Sequence, residues 1–239
     1  MPKPYKRGYP VAILIGMEKD SAALWQIFSQ VAKLQHNIHL NGNRADSKAI
    51  YNFHESIVDC LRPTLKEGIR SIIVASPQKT NYSQQFQNHI KTHQAWLMQG
   101  TNRVSLSTLT GAAITHADVT ALTKTEAFKR LISETTEGET ENLLEILEKR
   151  LQGAGILVRF SLEEAENLIL YTQPPGKPQP EYLLLTDSYL ADSRQKNRVQ
   201  RLLQIAKNKS VKARIIGAES TAGKRLTQLG GLVCLARPV

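Results

Sequence analysis

Cysteine is almost absent from this 239-residue chain: there are two, Cys60 and Cys234. They lie far apart, with Leu61 after the first and Val233 and Leu235 around the second. A disulfide framework or a cysteine metal site needs more thiols at closer spacing, so two buried free thiols in a reducing compartment are expected. Long apolar runs are missing too. The first, Val11 to Ile15, is too short for a signal-peptide core or a membrane span, and the ten residues before it are basic and polar. This predicts a cytoplasmic protein with no membrane contact. Acidic residues are scarce beside basic ones, 21 against 31, giving a net charge of +10. Such a surface attracts polyanions, nucleic acid first among them, and binds phosphate backbones in a salt-dependent way. Apolar residues, at 41%, suffice for one large core or two ordinary ones without staples.

Strand and helix signals alternate along the chain. Val11–Ile15 reads as a buried strand ended by Gly16. From Ser21 to Leu34 the pattern is ambiguous: Leu24, Ile27, Phe28 and Val31 have helical spacing, yet a strand is the alternative. Asn37 to Leu40 is a short strand candidate before the turn Asn41-Gly42-Asn43. A helix is predicted from Asp46 or Ser47, both good N-caps, with Ile50, Phe53, Ile57 and Leu61 as its apolar stripe and Pro63 ending or bending it. Ile69–Ser76 reads as a central parallel strand, 81–97 as a helix, and 102–109 as a half-buried strand. The polar stretch Ala117–Gly138 suits a domain boundary, so domains over 9–120 and 121–239 are expected.

In the second half a helix is predicted from Thr140 to Gln152, then a strand over 156–160. Ser161 and Glu164 form a capping box opening a helix to about Tyr171. Gln173–Pro180 is an exposed Pro- and Gly-rich loop, and Tyr182–Thr186 a strand. Asp192–Lys207 is a basic helix with Val199, Leu202, Leu203 and Ala206 inward. Val211–Ala218, Ala222–Leu229 and Leu232–Ala236 follow as strand, helix and strand. The alternation implies parallel sheets with helical crossovers.

Catalytic and metal signals are weak. The histidines are His36, His39, His54, His89, His93 and His116. His89 and His93 have the i, i+4 spacing of a helical metal pair, but no third ligand is placed by sequence, and packing or solvent-facing histidines are expected. Glu55 and Asp59 share that spacing; Lys48, Arg62 and Lys66 nearby point to a solvated helix face. Gly217–Gly223, GAESTAG, matches neither a dinucleotide fingerprint nor a Walker loop and reads as an ordinary strand-to-helix turn. The clearest polyanion candidates are Arg194, Lys196, Arg198 and Arg201 on the basic helix, continued by Lys207 and Lys209.

Three stretches, in order, resemble Pelota and the archaeal and eukaryotic class-one release factors. The first is Lys48–Leu61, with its Phe-x-x-x-Ile pattern, leading into Ile72-Ile-Val-Ala-Ser-Pro77. The second is Leu109-Thr-Gly111. The third runs Tyr182–Asp187, Val211–Ala218, then Gly223-x-x-Leu226-x-x-Leu229-Gly-Gly to Arg237-Pro238. The resemblance implies an α/β chain: an RNase H-like central domain, then an α/β domain similar to kink-turn-binding ribosomal proteins. It implies ribosome, rRNA or tRNA as partners, with a translational GTPase and an ABC-type recycling ATPase contacting the two domains.

Three departures shape the expectation. The loop before Lys48 reads Asn41-Gly42-Asn43-Arg44-Ala45-Asp46, without the Gly-Gly-Gln that positions hydrolytic water in release factors. Arg44 and Lys48 instead fit a basic, phosphate-contacting loop. Only about ten residues precede the first strand, so the family's N-terminal decoding-site domain is expected to be lacking. Gln78 and Lys79 follow Pro77 where Pelota has Gly and an aromatic, which puts Pro77, Gln78 and Lys79 at an altered partner contact. The expectation is a non-catalytic, ribosome-associated factor in termination, rescue or recycling, without cofactor or metal. Two alternatives are an RNA- or tRNA-cleaving hydrolase on the RNase H-like scaffold and an RNA-independent adaptor.

Overall fold

The structure, a computed structural model, describes residues 8–100, 103–153, 157–171, 174 and 176–237. Asn102, Ile156, Gln173, Pro175 and Pro238, used in the sequence reading, lie outside them. The chain is mixed α/β, as expected, and forms two compact units. One runs to Glu139; the other holds Thr140 onward together with Lys66–Gly68.

The first unit carries strands β1 (Pro10–Met17), β2 (Ser21–Phe28), β3 (Ala32–His39), β4 (Ser71–Ser76) and β5 (Ser105–Thr110) in the order β3-β2-β1-β4-β5. The first three pair antiparallel, while β4 runs parallel to both β1 and β5. The sheet is therefore mixed, and the all-parallel expectation is corrected: three-residue turns, 18–20 and 29–31, join β1–β2–β3 as a meander, with no crossover helix. Helices α1 (Ser47–Lys66) and α2 (Tyr82–His93) cover one face around Ile57, Leu61, Phe86 and Ile90. On the other face, α3 (His116–Thr123) and the start of α4 (Glu126–Gln152) pack against Leu14, Trp25 and Ile73.

This sandwiching resolves the ambiguous segment. Ala23, Trp25 and Ile27 of β2 enter one core, and Ala22 and Leu24 enter the other. A strand buried on both faces loses its polar alternation, so Leu24, Ile27 and Phe28 could mimic helical spacing. Gly16 does not end β1 but lies within it, because a Cβ there would come 2.1 Å from the Ala113 carbonyl oxygen. Pro63 does not end α1 either. Leu65, two residues beyond, is buried in the core, which offsets the hydrogen bond proline removes.

The expected boundary at residue 120 differs from the division at Glu139. The reason is Phe128: it is buried, with Leu131 and Ile132 packed on the same cluster, so α4 begins on the first unit's sheet. Further along, Leu143, Ile146 and Leu147 of the same helix pack in a core of the second unit.

The second unit's sheet has the order β6-β9-β7-β8, from β6 (Val158–Arg159), β7 (Gln179–Thr186), β8 (Lys212–Ile216) and β9 (Leu232–Arg237). Here β7 and β8 are parallel and the β9 pairings antiparallel. Helices α5 (Leu162–Leu170) and α7 (Lys196–Asn208) pack one face around Leu183, Leu202 and Cys234; α8 (Thr221–Gln228) packs the other. The Ser161–Glu164 capping box is present. Gln179 and Pro180 belong to β7, not the predicted loop. Both cysteines are free; burial pushes the Cys234 thiol up to about 12 and raises the half-buried Cys60. Among the described residues no helix is long and apolar enough to cross a membrane.

Two helices of this unit end in the same motif with different residues. After α8, Gly230 (φ +97°) donates to Thr227 O and Gly231 to Leu226 O, a Schellman ending with glycine in the left-handed position. After α7, Ser210 (φ +58°) donates to Lys207 O and Val211 to Ala206 O. A side chain in that conformation costs about 1 kcal/mol. Ser210→Gly is expected to raise the stability of the full chain by about 0.5–1 kcal/mol in urea unfolding. The left-handed Lys79 (φ +64°) predicts the same for Lys79→Gly.

Candidate nucleic-acid interface

The basic residues singled out by sequence divide into two groups, one in each unit. In the first, the loop before α1 is held by its own side chains: Asn43 Oδ1 accepts Ala45 N–H at 2.9 Å, and Asp46 Oδ1 caps α1 by accepting Lys48 N–H at 2.9 Å. Arg44 is turned inward. Its Nη1 donates to the carbonyls of Glu18 (3.2 Å) and Lys19, in the β1–β2 turn, and its Nη2 to Gln85 Oε1 of α2 at 3.2 Å. The guanidinium also lies 3.8 Å from the centre of the Tyr82 ring. Partial desolvation holds its pKa below the ordinary arginine value, against the opposing pull of Tyr82 and Asp20. The sequence reading paired Arg44 with Lys48; the structure separates them, with Arg44 tying a loop, a turn and a helix together while Lys48 stays exposed.

In the second unit the expected basic helix is broken. Helix α6 (Asp187–Asp192) ends at Ser193, and α7 starts at Lys196, so Arg194 lies in the linker. Ser193 Oγ accepts Gln195 N–H at 3.2 Å, giving the backbone a local alternative to helix. Val199, Leu202 and Ala206 face the core, leaving Arg194, Lys196, Arg198 and Arg201 exposed around one shallow concavity and its adjoining helix face. Arg198 is engaged by Glu166 of α5, with Nε donating to Oε1 at 3.2 Å, and by Gln195; the Glu166 hydrogen bond raises its pKa.

After β4, Pro77 O accepts Thr80 N–H (3.3 Å) and Oγ1–H (2.7 Å), closing a turn with Gln78 and Lys79 exposed at its tip. The GAESTAG segment is a turn built by packing: Ser220 Oγ caps α8 at Gly223 N–H (3.0 Å), and a Cβ on Gly223 would sit 2.0 Å from Gly217 O. Asp187 Oδ1 already accepts Ala218 N–H at 2.8 Å, so a carboxylate occupies that turn's amide.

The acidic and histidine pairs resolve differently from the solvated face expected. Asp59 does pair with exposed Arg62 at 2.9 Å. Glu55, however, bridges α1 to α2: Oε1 meets His89 Nε2 at 2.7 Å, and both oxygens accept from Gln94 Nε2 at 2.8 and 2.9 Å. Gln94 Oε1 in turn accepts the Trp96 indole N–H at 2.6 Å. His54 and His89 are buried and stack edge-on, 4.9 Å between centroids. Among the described residues no group of three His, Cys, Asp or Glu is placed to hold a metal ion. Sequence reasoning missed Tyr51, Gln94 and Trp96 as members of this network. The spacing of Tyr51, Glu55 and Arg62 along one side of α1 was the available signal.

No model of a known protein family matches this sequence, and no curated protein matches it. Solved structures do match in fold. S. cerevisiae Dom34, a translation termination-like factor involved in RNA quality control pathways and interacting with Hbs1, matches with TM-score 0.52 at 16% identity, over 96% of this chain and 63% of that one. Archaeal Pelota, in a model of ribosome-bound Pelota and ABCE1, matches with TM-score 0.55 at 17% identity, over 95% of this chain and 61% of the other. The chain thus spans less than two thirds of the length of either structure. The mixed α/β units described above therefore constitute, along nearly all of this chain, a Pelota-like fold.

Proposed function

We propose that this chain is a non-catalytic, ribosome-associated factor acting in termination, rescue or recycling through tRNA or rRNA and protein contacts. The observation that carries the reading is the Pelota-like fold over nearly the whole chain, joined to an exposed basic face at the start of α7. The first unit would serve as a central-type domain and the second as a C-terminal-type domain. Arg194, Lys196 and Arg201 supply phosphate contacts, with Arg198 contributing beside Glu166, and Lys48 supplies a contact from the first unit. Arg44 supports the same surface by fixing the loop that leads to Lys48. Pro77, Gln78 and Lys79 form the exposed turn offered to a translational GTPase, and the second unit is the part offered to an ABC-type ATPase. No hydrolytic step is assigned, because the loop before α1 carries no glutamine and Glu55 is committed to His89 and Gln94.

The test is co-sedimentation of the full chain with ribosomes across a salt series. Binding is expected at low ionic strength and falls steeply with added salt. Changing Arg194, Lys196 and Arg201 together to Glu is expected to weaken it by about tenfold or more and to flatten the salt dependence. Indifference to ribosomes at low salt, or unchanged binding by that triple variant, overturns the reading.

A further inference from the structure

Two large aromatic side chains of the first unit are exposed yet not loose. Tyr51 is 41% exposed on α1, and Trp96, in the 3-10 turn Ala95–Leu97 after α2, is 47% exposed. One hydrogen-bonded chain ties both from behind. The Trp96 indole N–H is held by Gln94, Gln94 clamps Glu55, Glu55 meets His89, and the His89 ring sits edge-on to Tyr51 at 5.1 Å. His93 meets Tyr51 at 5.1 Å as well. Aromatic rings fixed before a partner arrives lose little conformational freedom on binding, which favours recognition. The cations sit beside them. Lys48 lies three residues before Tyr51, on the same side of α1, and the Arg62 guanidinium is 5.2 Å from the Trp96 ring centre. Eleven residues of helix separate Tyr51 from Arg62, about 16 Å along the axis. That spans several nucleotides of an unstacked strand.

We propose that this face is a stacking ledge for unpaired RNA bases, with Tyr51 and Trp96 as platforms and Lys48 and Arg62 meeting the phosphates. The assignment rests on the reading of the chain as an RNA-contacting factor and locates a second mode of contact in it. Charge favours RNA over an apolar protein partner: the two acids of the face are engaged, Glu55 with His89 and Gln94 and Asp59 with Arg62, while cations flank both rings. Every base offers a π-face, so the ledge would be sequence-tolerant and selective for single strands.

The chain has two tryptophans, and Trp25 is buried with its indole N–H on the Ala113 carbonyl. Fluorescence quenched by added bases therefore reports Trp96. Titrating the full chain with a uridine-rich single-stranded RNA dodecamer is expected to quench emission, and the quench disappears in Trp96→Phe. By anisotropy of the labelled dodecamer, the double variant Tyr51→Ala, Trp96→Ala binds about tenfold or more weakly, while Tyr51→Phe, Trp96→Phe keeps wild-type affinity. The conservative pair separates a lost platform from a lost fold. A duplex of the same length gives no quench. If the dodecamer binds without quenching and the alanine pair binds as tightly as wild type, the ledge is wrong and the ribosome reading stands. If neither the dodecamer nor ribosomes bind, the ledge falls together with the reading beneath it.

Discussion

Replacing Glu181 with Ala is expected to cost the second unit about 3–5 kcal/mol, the typical loss when one member of a buried ion pair is removed. Glu181 opens the buried part of β7, where its carboxylate is shared by two cations. Arg150 Nη2 of α4 reaches Oε2, and Lys212 Nζ of β8 lies 3.3 Å from Oε1. All three side chains are largely buried, at 12%, 11% and 16% exposure. Lys212 Nζ also donates to the Tyr182 hydroxyl at 3.1 Å, and both cations lie near the Tyr182 ring, at 4.6 and 5.7 Å. Removing the carboxylate strips a shared counter-charge from both cations in a region with little water. Arg150→Met is expected to cost less. Glu181 then keeps Lys212, and the guanidinium already carries a buried Nη1 without a hydrogen-bond partner.

Circular dichroism during urea unfolding follows both units, whereas the two tryptophans, at 25 and 96, follow the first. The Glu181→Ala loss should therefore appear in the dichroism. Burial would raise the Glu181 pKa, but the Arg150 hydrogen bond and charge, then Lys212, outweigh it and hold it below the usual carboxylate range. The stabilisation is thus complete above the ordinary glutamate pKa and fades as pH falls through the depressed value, so wild type and variant converge only in acid. A variant as stable as wild type at pH 7 would remove the triad from the account of this fold.

What the sequence disclosed follows how regular each environment is. Helix α1 was legible because Asp46 caps it and Phe53, Ile57 and Leu61 recur at helical spacing over one core. The α5 capping box was legible from Ser161 and Glu164 alone. Legibility failed where tertiary packing overrides the local pattern. Strand β2 is apolar on both faces, and Gly16 reads as a terminator although it is a close-approach residue inside β1. The first half of α4 shows few large apolar residues because it meets the sheet partly through polar groups, with Thr135 Oγ1 on Ser107 Oγ at 2.8 Å and the Ser71 hydroxyl on Glu139. The basic α7 face was visible as charge spacing, since exposure follows directly from helical periodicity. The inward turn of Arg44 was not visible, because its partners lie 25 to 41 residues away. The Glu55–Gln94–Trp96 chain was hidden for the same reason.

A second large effect is expected in mild acid, from His54. This histidine of α1 is 2% exposed, lies among Phe53, Phe86 and His89, and its Nε2 has no hydrogen-bond partner. Burial, then the neighbouring His89 and Arg44 charges, lower its pKa to about 4, with Glu55 opposing weakly. In the unfolded chain a histidine titrates near 6.5. The unfolded state therefore takes up the proton first as pH falls. Stability is full above about pH 6.5, drops through the window between the two values, and levels off below about 4, having lost about 3 kcal/mol in all. Roughly 2 kcal/mol of that is gone by pH 5. Tryptophan-detected urea unfolding from pH 7.5 to 4.5 measures it in the unit that holds His54. His54→Leu, close in volume and with no group to protonate, should flatten the profile by this amount and cost little at pH 7, since the imidazole it replaces leaves a buried nitrogen unpaired. An equally steep profile in the variant would assign the acid sensitivity to other groups, His89 first, whose pKa burial also lowers.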